Sequence, residues 1–349
     1  MQYKSDSFLR SESRSAQTRR PAFCCIEISS VCLLKCKMCF AWKLRGANSG
    51  RQPTLNEWKD FISLLAELSE DSIEINFSGA EPLSDSRNLD LIAFCSDRGL
   101  CTSLNTSGFL IDADKARRIS RSGLNSITIS LDSMNRSTHD FLRGTEGCYD
   151  KVMQGIDHLD KHCGGLTIGI QTVILENNLD EIIGLTEWAE ARKRIDHICF
   201  QALAQTFFTP PVNGWHKKKE YNTLWPKNIT RVHRVIDELI RLKHSGYKIA
   251  NTFCQLEIFK TYFDNPGRFI RKSACNVDFY MTVDQFGDVR TCGMMPVIGN
   301  IKTDLPKDIW YSKTADRMRE KIRKCKANCH ILINCGYEAE DSLASECAG

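Results

Sequence analysis

The stretch FCCIEISSVCLLKCKMCF, residues 23–40, contains the features that decide the fold and the chemistry of this chain. Its first part, Cys24–Ile28, is a short run rich in apolar residues and predicts a strand. Three cysteines follow at C-x3-C-x2-C spacing, namely Cys32, Cys36 and Cys39. Functional sites of α/β sheets form beyond the carboxyl ends of the strands, so this loop is a candidate site.

Strand and helix patterns continue to alternate as far as about residue 203. Several strand patterns are apolar throughout, which is typical of strands covered on both faces. Six β–α units predict an α/β fold with a parallel sheet and right-handed crossovers, either a partial barrel or a doubly wound sheet. The predicted strands are Cys24–Ile28, Ile73–Phe77, Cys101–Asn105, Ser126–Leu131, Thr167–Ile174 and His197–Ala202, and the predicted helices are Leu55–Leu68, Asn88–Arg98, Ala113–Ser122, Tyr149–His162 and Leu179–Ala191.

Composition narrows the function classes. The chain has 349 residues and 17 cysteines, an odd number, and its first 22 residues show no secretory signal. Metal ligation in a reducing compartment therefore explains the cysteines better than disulfides do, and we expect a cytoplasmic protein. A net charge of +4 is too small to indicate nucleic acid or a membrane surface as partner. Residues 1–22, rich in Ser and Arg, are expected to form a disordered arm.

The number of cysteines in the first loop has a chemical consequence. Three thiolates can hold three irons of a four-iron cluster, and no fourth cysteine follows within the loop. One iron would then stay open to a non-protein ligand, as catalytic metal sites keep an open position. The alternative is a structural zinc site with a distant fourth ligand.

This loop resembles the signature of the radical S-adenosylmethionine (SAM) superfamily. Many members have an aromatic residue before the last cysteine, where this chain has Met38, and its aromatic residue follows as Phe40. The resemblance implies a partial (β/α)6 barrel, over residues 23–204 of this chain. It also implies that SAM chelates the open iron, that one electron cleaves its sulfonium, and that a 5′-deoxyadenosyl radical abstracts a hydrogen atom from the substrate.

Later loops resemble the SAM-binding motifs of the same family. Ser78-Gly79-Ala80-Glu81-Pro82 resembles the Gly-Gly-Glu-Pro motif, which receives the SAM amino group, with Ala80 in place of the second glycine. Asn105 begins a stretch similar to the Thr-Asn-Gly region. Ser130-Leu131-Asp132 resembles the segment that reaches the SAM ribose.

Two further positions are implied to bind SAM or to face the site. Arg143, in the stretch Phe141–Gly144, resembles the arginine that approaches the SAM carboxylate, and Gln201 lies on the last predicted strand. The alternatives are that Asn105 and Asp132 are turn or cap residues and that Arg143 is an exposed charge. No catalytic residue is assigned.

A second cysteine group lies near the end of the chain. Tyr280–Val283 and Gly287–Arg290 are predicted to form a hairpin that brings two of its thiols to one end, and a helix is predicted at about Ala315–Lys324. The group resembles the SPASM and Twitch extensions of radical SAM enzymes, which bind auxiliary 4Fe–4S clusters. Its gaps depart from the two-cluster pattern, and Ala339 replaces a late cysteine, so one auxiliary cluster is expected, with a zinc knuckle as the alternative. The candidate ligands are Cys275, Cys292, Cys325 and Cys329, with Cys335 competing.

The middle of the chain, residues 205–270, is interpreted as an insertion and a bridging helix at about Ile229–Ser245, before an auxiliary domain at 271–349. The aromatic and basic segment Gln205–Asn228 is either a lid or a solvated loop. Among the nine other cysteines, Cys24, Cys101 and Cys199 are expected to be small core residues.

The resemblance leaves three functions open. The first is oxidation or epimerisation of a small polar or carbohydrate-like substrate, in which one of the remaining cysteines could donate a hydrogen atom to an epimerised product. The second is modification of a ribosomally made peptide by thioether formation, carbon–carbon crosslinking or epimerisation, and the third is a non-catalytic electron carrier. An electron donor such as flavodoxin or ferredoxin is the expected partner, without nucleic acid or membrane.

Overall fold

A computed structural model describes residues 20–39, 42, 50–206, 209, 212–270, 275 and 277–335. Most of the predicted arm and the last fourteen positions, 336–349, lie outside these ranges. Within them, no helix is both long and apolar enough to cross a membrane. The strands are β1 (Phe23–Ile26), β2 (Glu74–Phe77), β3 (Cys101–Thr106), β4 (Ser126–Ser130), β5 (Thr167–Ile174), β6 (His197–Ala202), β7 (Tyr280–Val283), β8 (Asp288–Arg290) and β9 (Gly299–Asn300).

Helices follow most of the strands and connect them. The helices are α1 (Leu55–Leu68), α2 (Arg87–Ser96), α3 (Ala113–Arg121), α4 (Arg136–Arg143), α5 (Cys148–His162), α6 (Ile182–Ala191), α7 (Ile229–His244), α8 (Phe253–Asp264), α9 (Pro306–Trp310), α10 (Lys313–Arg323) and α11 (His330–Asn334). The first helix shows why such segments begin where they do. Thr54 and Glu57 form a capping box at its start, and Trp58, Phe61 and Ile62 are buried on one side.

All nine strands belong to one sheet with the order β6-β5-β4-β3-β2-β1-β7-β8-β9. Neighbours from β1 to β6 pair in parallel, and their order follows the chain without reversal. A doubly wound sheet reverses its order at a switch point. The fold is therefore the open partial barrel, and this alternative of the sequence prediction is confirmed.

The two faces of the sheet differ sharply, whereas the apolar strand patterns predict strands that are apolar on both sides. In β4, for example, Ile127 and Ile129 are buried while Ser126, Thr128 and Ser130 are only half-buried. The strand register carries this alternation across the sheet. We call the polar side the inner face; its side chains include Cys25, Glu27, Glu74, Asn76, Ser78, Ser103, Asn105, Thr128, Ser130, Gln171, His197, Cys199 and Gln201.

The predicted C-terminal hairpin forms, and it also extends the main sheet. β7 pairs in parallel with β1, with Phe23 opposite Tyr280 and Ile26 opposite Val283. β8 and β9 then continue in antiparallel fashion. At the other edge, the side chain of Asn334, the last residue of α11, exchanges two hydrogen bonds with the backbone of Ala202 in β6, at 2.8 and 3.0 Å. The C-terminal segment therefore contacts both edges of the parallel sheet.

The segment Gln205–Asn228 packs through its aromatic side chains. Trp215 lies edge-on to Tyr221 and Trp225, with ring centroids 4.7 and 5.4 Å apart. Trp225 in turn packs on Tyr262 and Phe263 of α8. The basic run 217–219 is exposed. Its described aromatic rings therefore anchor the segment to α8.

Candidate active site

The cysteine loop is fastened to the end of α4. The backbone N–H of Lys35 donates to the carbonyl of Arg143 at 3.2 Å, and that of Lys37 donates to the carbonyl of Leu142 at 2.8 Å. α4 ends at Arg143 and is capped by Gly144, whose φ of 65° lies in the left-handed region. A Cβ on Gly144 would lie 2.3 Å from the carbonyl oxygen of Lys35, so only glycine permits this approach.

The three thiols of the loop differ in exposure. Cys36 is buried, Cys32 is half-buried and Cys39 is exposed. Burial raises the pKa of the Cys36 thiol, and the Arg143 guanidinium partly opposes that shift. Arg143 Nη1 lies 4.0 Å from Cys36 Sγ. A cation is therefore already placed where a thiolate ligand would carry negative charge.

The other two side-chain nitrogens of Arg143, Nη2 and Nε, indicate whether a cofactor could bind here. Its Nη2 lies 2.7 Å from Asp132 Oδ2 in a buried ion pair. Its Nε is buried and has no hydrogen-bond partner among the described residues. A donor of this kind fits an acceptor such as a cluster sulfide or the SAM carboxylate. With the three thiols of the loop, it supports an iron–sulfur cluster with SAM at this position.

A cavity of about 340 Å³ adjoins the cysteine loop. It lies between that loop, the end of α4 and the segment Gln205–Asn228, so this segment borders the cavity, and its role as a lid stays a prediction. The lining residues are Lys35, Cys36, Lys37, Trp42, Phe141, Gly144, Glu220, Thr223 and Leu224.

The Ser78–Pro82 loop lies directly beyond β2. The Ser78 N–H donates to the carbonyl of Ile26 at 3.0 Å, and Gly79 has a φ of 107°. A Cβ at Gly79 would lie 3.2 Å from Cβ of Glu27, so the loop passes closely over β1. Ala80 is half-buried. Gly79 is exposed, so this part of the loop is accessible from solvent.

Glu81 accepts several hydrogen bonds from other groups of the protein through its carboxylate. Its carboxylate is buried and accepts hydrogen bonds from the N–H of Leu83 at 3.1 Å and the hydroxyl of Thr106 at 2.7 Å. It also accepts from the N–H of Ser107 at 3.0 Å and from the Ser107 hydroxyl. Glu81 thus joins the loop after β2 to the end of β3 and the loop beyond it, and its role at the SAM amino group stays a prediction.

Asp132 is likewise enclosed. Its Oδ1 accepts from the N–H of Val173 at 3.0 Å, and its side chain is fully buried. Its carbonyl accepts from Asn178 Nδ2 at 2.8 Å, and its N–H donates to His139 Nδ1 at 3.2 Å. The role of Asp132 at the SAM ribose stays a prediction, and what the structure adds is its ion pair with Arg143.

The structure places the other predicted SAM residues on the inner face. Asn105 is exposed there, and Ser130 and Gln201 are half-buried. Their roles stay predictions. The expectation of a core position is met by Cys24, whereas Cys199 is half-buried on the inner face and Cys101 is exposed.

Sequence reasoning missed Glu27, which lies on the inner face beside Gly79. Burial and then the neighbouring Asp284 raise the pKa of Glu27 to about 7, while Arg290 lowers it. Arg290 is itself paired with Asp284 at 2.8 Å. The alternation of Ile26, Glu27 and Ile28 was the available signal, because a carboxylate between two core residues must face the other way.

The second cysteine group assembles at the opposite end of the sheet. β7 runs parallel to β1, so Cys275 before it lies at the amino end; β8 runs back, so Cys292 lies at that end too. Burial raises the pKa of Cys292 to about 11, and the neighbouring thiols of Cys329, Cys275 and Cys325 add to the shift. These four predicted ligands are therefore close together.

Cys335 lies between this group and the inner face. Burial raises its pKa to about 12, with further contributions from the thiols of Cys329, Cys199 and Cys275. Cys25 on β1 also interacts with it. Geometry therefore leaves Cys335 as either a ligand or an inner-face thiol.

In neither cysteine group are the described thiols close enough together to bind one metal ion jointly. Among the described residues, no three His, Cys, Asp or Glu side chains lie close enough to share one metal ion. In a four-iron cluster each thiolate binds a different iron, so its ligands are spaced more widely than those of one zinc ion.

Two protein families match separate parts of the chain. The radical SAM superfamily matches residues 26–189, and an iron–sulfur cluster-binding domain named SPASM matches residues 275–336. The second range contains Cys275, Cys292, Cys325, Cys329 and Cys335.

Similar proteins match over most of the chain. AdoMet-dependent heme synthase of Methanosarcina barkeri is 25% identical over 93% of this chain and 90% of its own length. The protein of the same name from Nitratidesulfovibrio vulgaris is 30% identical over 89% of this chain and 82% of its own length. The solved structure of anSMEcpe with AdoMet and Cp18Cys peptide superposes with a TM-score of 0.65 at 18% identity, over 90% of this chain and 88% of that one, which shows the shared fold.

Proposed function

Because this chain belongs to the radical SAM superfamily and carries a SPASM-type iron–sulfur domain, we propose that it abstracts a hydrogen atom from a small polar or carbohydrate-like substrate and thereby oxidises or epimerises it. Its cofactors are SAM and 4Fe–4S clusters. The proposed ligands of the SAM-binding cluster are Cys32, Cys36 and Cys39, and those of one auxiliary cluster are Cys275, Cys292, Cys325 and Cys329.

The observation that carries this proposal is the position of the inner face between the two cysteine groups. The first group lies beyond the carboxyl end of β1, and the second lies at the amino end of the adjoining β7. A four-residue strand such as β1 spans roughly 13 Å. A substrate on the inner face would therefore lie between an open iron site and a second redox centre.

The chemistry of the inner face favours a substrate without several negative charges. In β1–β6, all of which the structure describes, no inner-face position holds Lys or Arg. Its carboxyl groups include Glu27 and Glu74, and burial raises the pKa of both. Amide, hydroxyl and carboxyl groups of this kind bind hydroxyl and amino groups by hydrogen bonds.

The residues of this chain have defined tasks in such a reaction. When bound, the clusters and SAM supply the one-electron chemistry. The Ser78–Pro82 loop and Arg143 orient SAM, and the inner face orients the substrate. Glu27, with a pKa of about 7, accepts the proton released when an alcohol becomes a carbonyl. In an epimerisation, Cys25 or Cys199 on the same face would return a hydrogen atom instead, and the thiyl group left behind would be restored by one electron from the external donor protein and one proton from solvent.

Electrons enter from outside the molecule, from a flavodoxin or ferredoxin. Lys35 and Lys37 flank Cys36 and are exposed, as is Cys39. Exposed lysines beside the cluster attract an acidic donor protein and orient it toward the iron.

A tetrapyrrole is the second candidate substrate. Two relatives that match most of the chain are named as heme synthases. Against it stands the inner face, because tetrapyrrole carboxylates require cations that β1–β6 do not place there. Peptide modification is a third candidate, and the substrate test below separates all of them.

The enzyme assignment is tested by anaerobic reconstitution followed by iron and product analysis. The wild-type chain is expected to hold about eight irons and to release 5′-deoxyadenosine with dithionite and SAM. The triple change of Cys32, Cys36 and Cys39 to Ala should abolish release and retain about four irons. Cys101→Ala is the matched control because its thiol is exposed and outside both groups. Release that survives the triple change would refute the assignment, and an electron carrier would release none at all.

The substrate class is tested by deuterium transfer. Deuterated polyols, aminocyclitols, tetrapyrroles and peptides are incubated in turn, and 5′-deoxyadenosine is examined by mass spectrometry. Transfer from a polyol or aminocyclitol is the expected result, with a carbonyl product or an inverted carbon. Transfer from a tetrapyrrole or a peptide alone would replace the proposed substrate class.

A further inference from the structure

We propose that the buried Asp132–Arg143 ion pair sets the reduction potential of the cluster bound through Cys36, the arginine raising it and the aspartate limiting that rise. The inference rests on the proposed function, because it requires a cluster on the Cys32–Cys39 loop. It concerns a positioning role in electron uptake, which is separate from any contact of Arg143 with SAM.

Arg143 is placed to act on the cluster at short range. It is the last residue of α4, the helix whose end carries the cysteine loop, and its Nη1 lies 4.0 Å from Cys36 Sγ. Its side chain is only 10% exposed, so solvent and salt screen its charge weakly. The same helix carries Arg136, which is exposed and paired with Asp150. Of these two arginines, Arg143 is therefore the one that contacts the loop, and Arg136 serves as the control.

Asp132 holds the guanidinium in place and offsets its charge. The carboxylate is fully buried, 2.7 Å from Arg143 Nη2, and its other oxygen is fixed by the N–H of Val173. Its backbone is held by Asn178 and His139. An aspartate fixed on these sides cannot turn away from the arginine. The pair therefore presents a fixed dipole whose positive end faces Cys36.

The sign of each contribution follows from electrostatics. Reduction adds one negative charge to a cluster, so a nearby cation favours the reduced form and a nearby anion opposes it. Charges and hydrogen bonds at cluster sulfurs are known determinants of potential. Arg143 contacts Cys36 while Asp132 lies behind it, so the arginine has the larger effect. Removing either partner alone should shift the potential, and the two shifts should have opposite signs.

The test is a redox titration of the reconstituted full-length protein, followed by EPR and performed without SAM. Without SAM, a contact between Arg143 and the SAM carboxylate cannot contribute. The triple Cys32, Cys36 and Cys39 to Ala variant supplies the spectrum of the auxiliary cluster for subtraction. The auxiliary cluster in each sample also reports whether the protein is folded.

Arg143→Gln should lower the ratio of reduced to oxidised SAM-binding cluster about tenfold at a fixed potential, equivalent to about 59 mV for one electron. Asp132→Asn should raise that ratio, and the double variant should return toward wild type. Arg143→Lys keeps the charge and should stay near wild type, as should Arg136→Gln, the control on the same helix.

Each result decides between distinct conclusions. Unchanged potentials, or shifts of the same sign in both single variants, would overturn the inference while leaving the proposed function intact. If Arg143→Gln does not load the first cluster, Asp132→Asn decides alone: a higher potential supports the inference, and an unchanged or lower potential overturns it. A wild-type protein without any cluster signal from the first loop would instead remove the proposed function.

Discussion

The two cysteine groups of this chain are built in different ways. Cys32, Cys36 and Cys39 come from one loop of eight positions, fixed by backbone hydrogen bonds to the end of α4. The second group is gathered from the segments before β7, after β8, after α10 and around α11. The first site is thus local in sequence, whereas the second exists only when distant segments have folded together.

This difference has an energetic consequence. A metal site that joins distant segments contributes its binding free energy to folding. The loop site joins residues that are already neighbours, so losing its metal should cost activity and little stability. Three ligands leave an iron free for SAM, and four ligands complete a redox or structural centre. We therefore expect changes in the first group to affect mainly activity, and changes in the second group to affect mainly stability.

The largest expected effect comes from Cys329→Ala, which tests the gathered site. The variant should lose about four irons and a few kcal/mol of stability, because α11 and its contact with β6 lose their connection to Cys292. Iron analysis and anaerobic thermal unfolding measure both.

Cys335→Ala is the matched control for that experiment. Cys335 also borders Cys199 and Cys25, so we expect this variant to keep about eight irons. The reverse pattern, with iron lost in Cys335→Ala and kept in Cys329→Ala, would show that Cys335 is the fourth ligand instead of Cys329.

Gly144→Ala tests the local site without removing a ligand. The new Cβ would lie 2.3 Å from Lys35 O in a left-handed backbone, which should cost about 3 kcal/mol and displace the cysteine loop. The first cluster should load poorly while the auxiliary cluster remains. Urea unfolding and EPR measure the two effects.

Gly147→Ala is the control for this backbone effect. Gly147 has a φ of 74°, and a Cβ there would meet nothing within 4 Å. It should lose only about 1 kcal/mol and load both clusters normally. Equal loss of the first cluster in both variants would show that strain, not contact with Lys35, is responsible.

Sequence patterns predicted the parallel core well because its signals are local. Thr167–Ile174, His197–Ala202 and Leu55–Leu68 have the bounds that were expected. Other helices shifted slightly, such as α6, which begins at Ile182 instead of Leu179. α4, α8, α9 and α11 were not predicted, and neither was the parallel pairing of β7 with β1, which joins positions more than 250 residues apart.

The candidate site shows the same limit. Cysteine spacing and the motif resemblance predicted which residues cluster at the loops. They could not predict that Asp132 pairs with Arg143, or that Glu81 is saturated by Thr106 and Ser107, because such contacts depend on how loops pack. Glu27 was missed because its strand was interpreted as covered on both faces.

The smallest expected effect is a loss of folding stability at low pH. It involves His139, which holds the backbone of Asp132 behind Arg143. Burial, followed by Arg143, lowers the pKa of His139 to about 3, from an ordinary value near 6.5. His139 Nδ1 accepts from the N–H of Asp132, so protonation would break that bond. Below pH 6.5 the unfolded chain binds a proton that the folded chain does not, so stability falls as pH falls, by up to about 1.4 kcal/mol per unit.

His139→Asn keeps an acceptor near Asp132 and cannot titrate. Urea unfolding between pH 7 and 5 should therefore show a smaller loss in this variant than in wild type, by up to roughly 2 kcal/mol at pH 5. His158→Asn on α5 is the control, because His158 lies outside the hydrogen-bonded group around Asp132. If His139→Asn and wild type lost equal stability on acidification, the acid sensitivity would arise elsewhere. The loop site would then depend on Asp132 and Arg143 without this histidine.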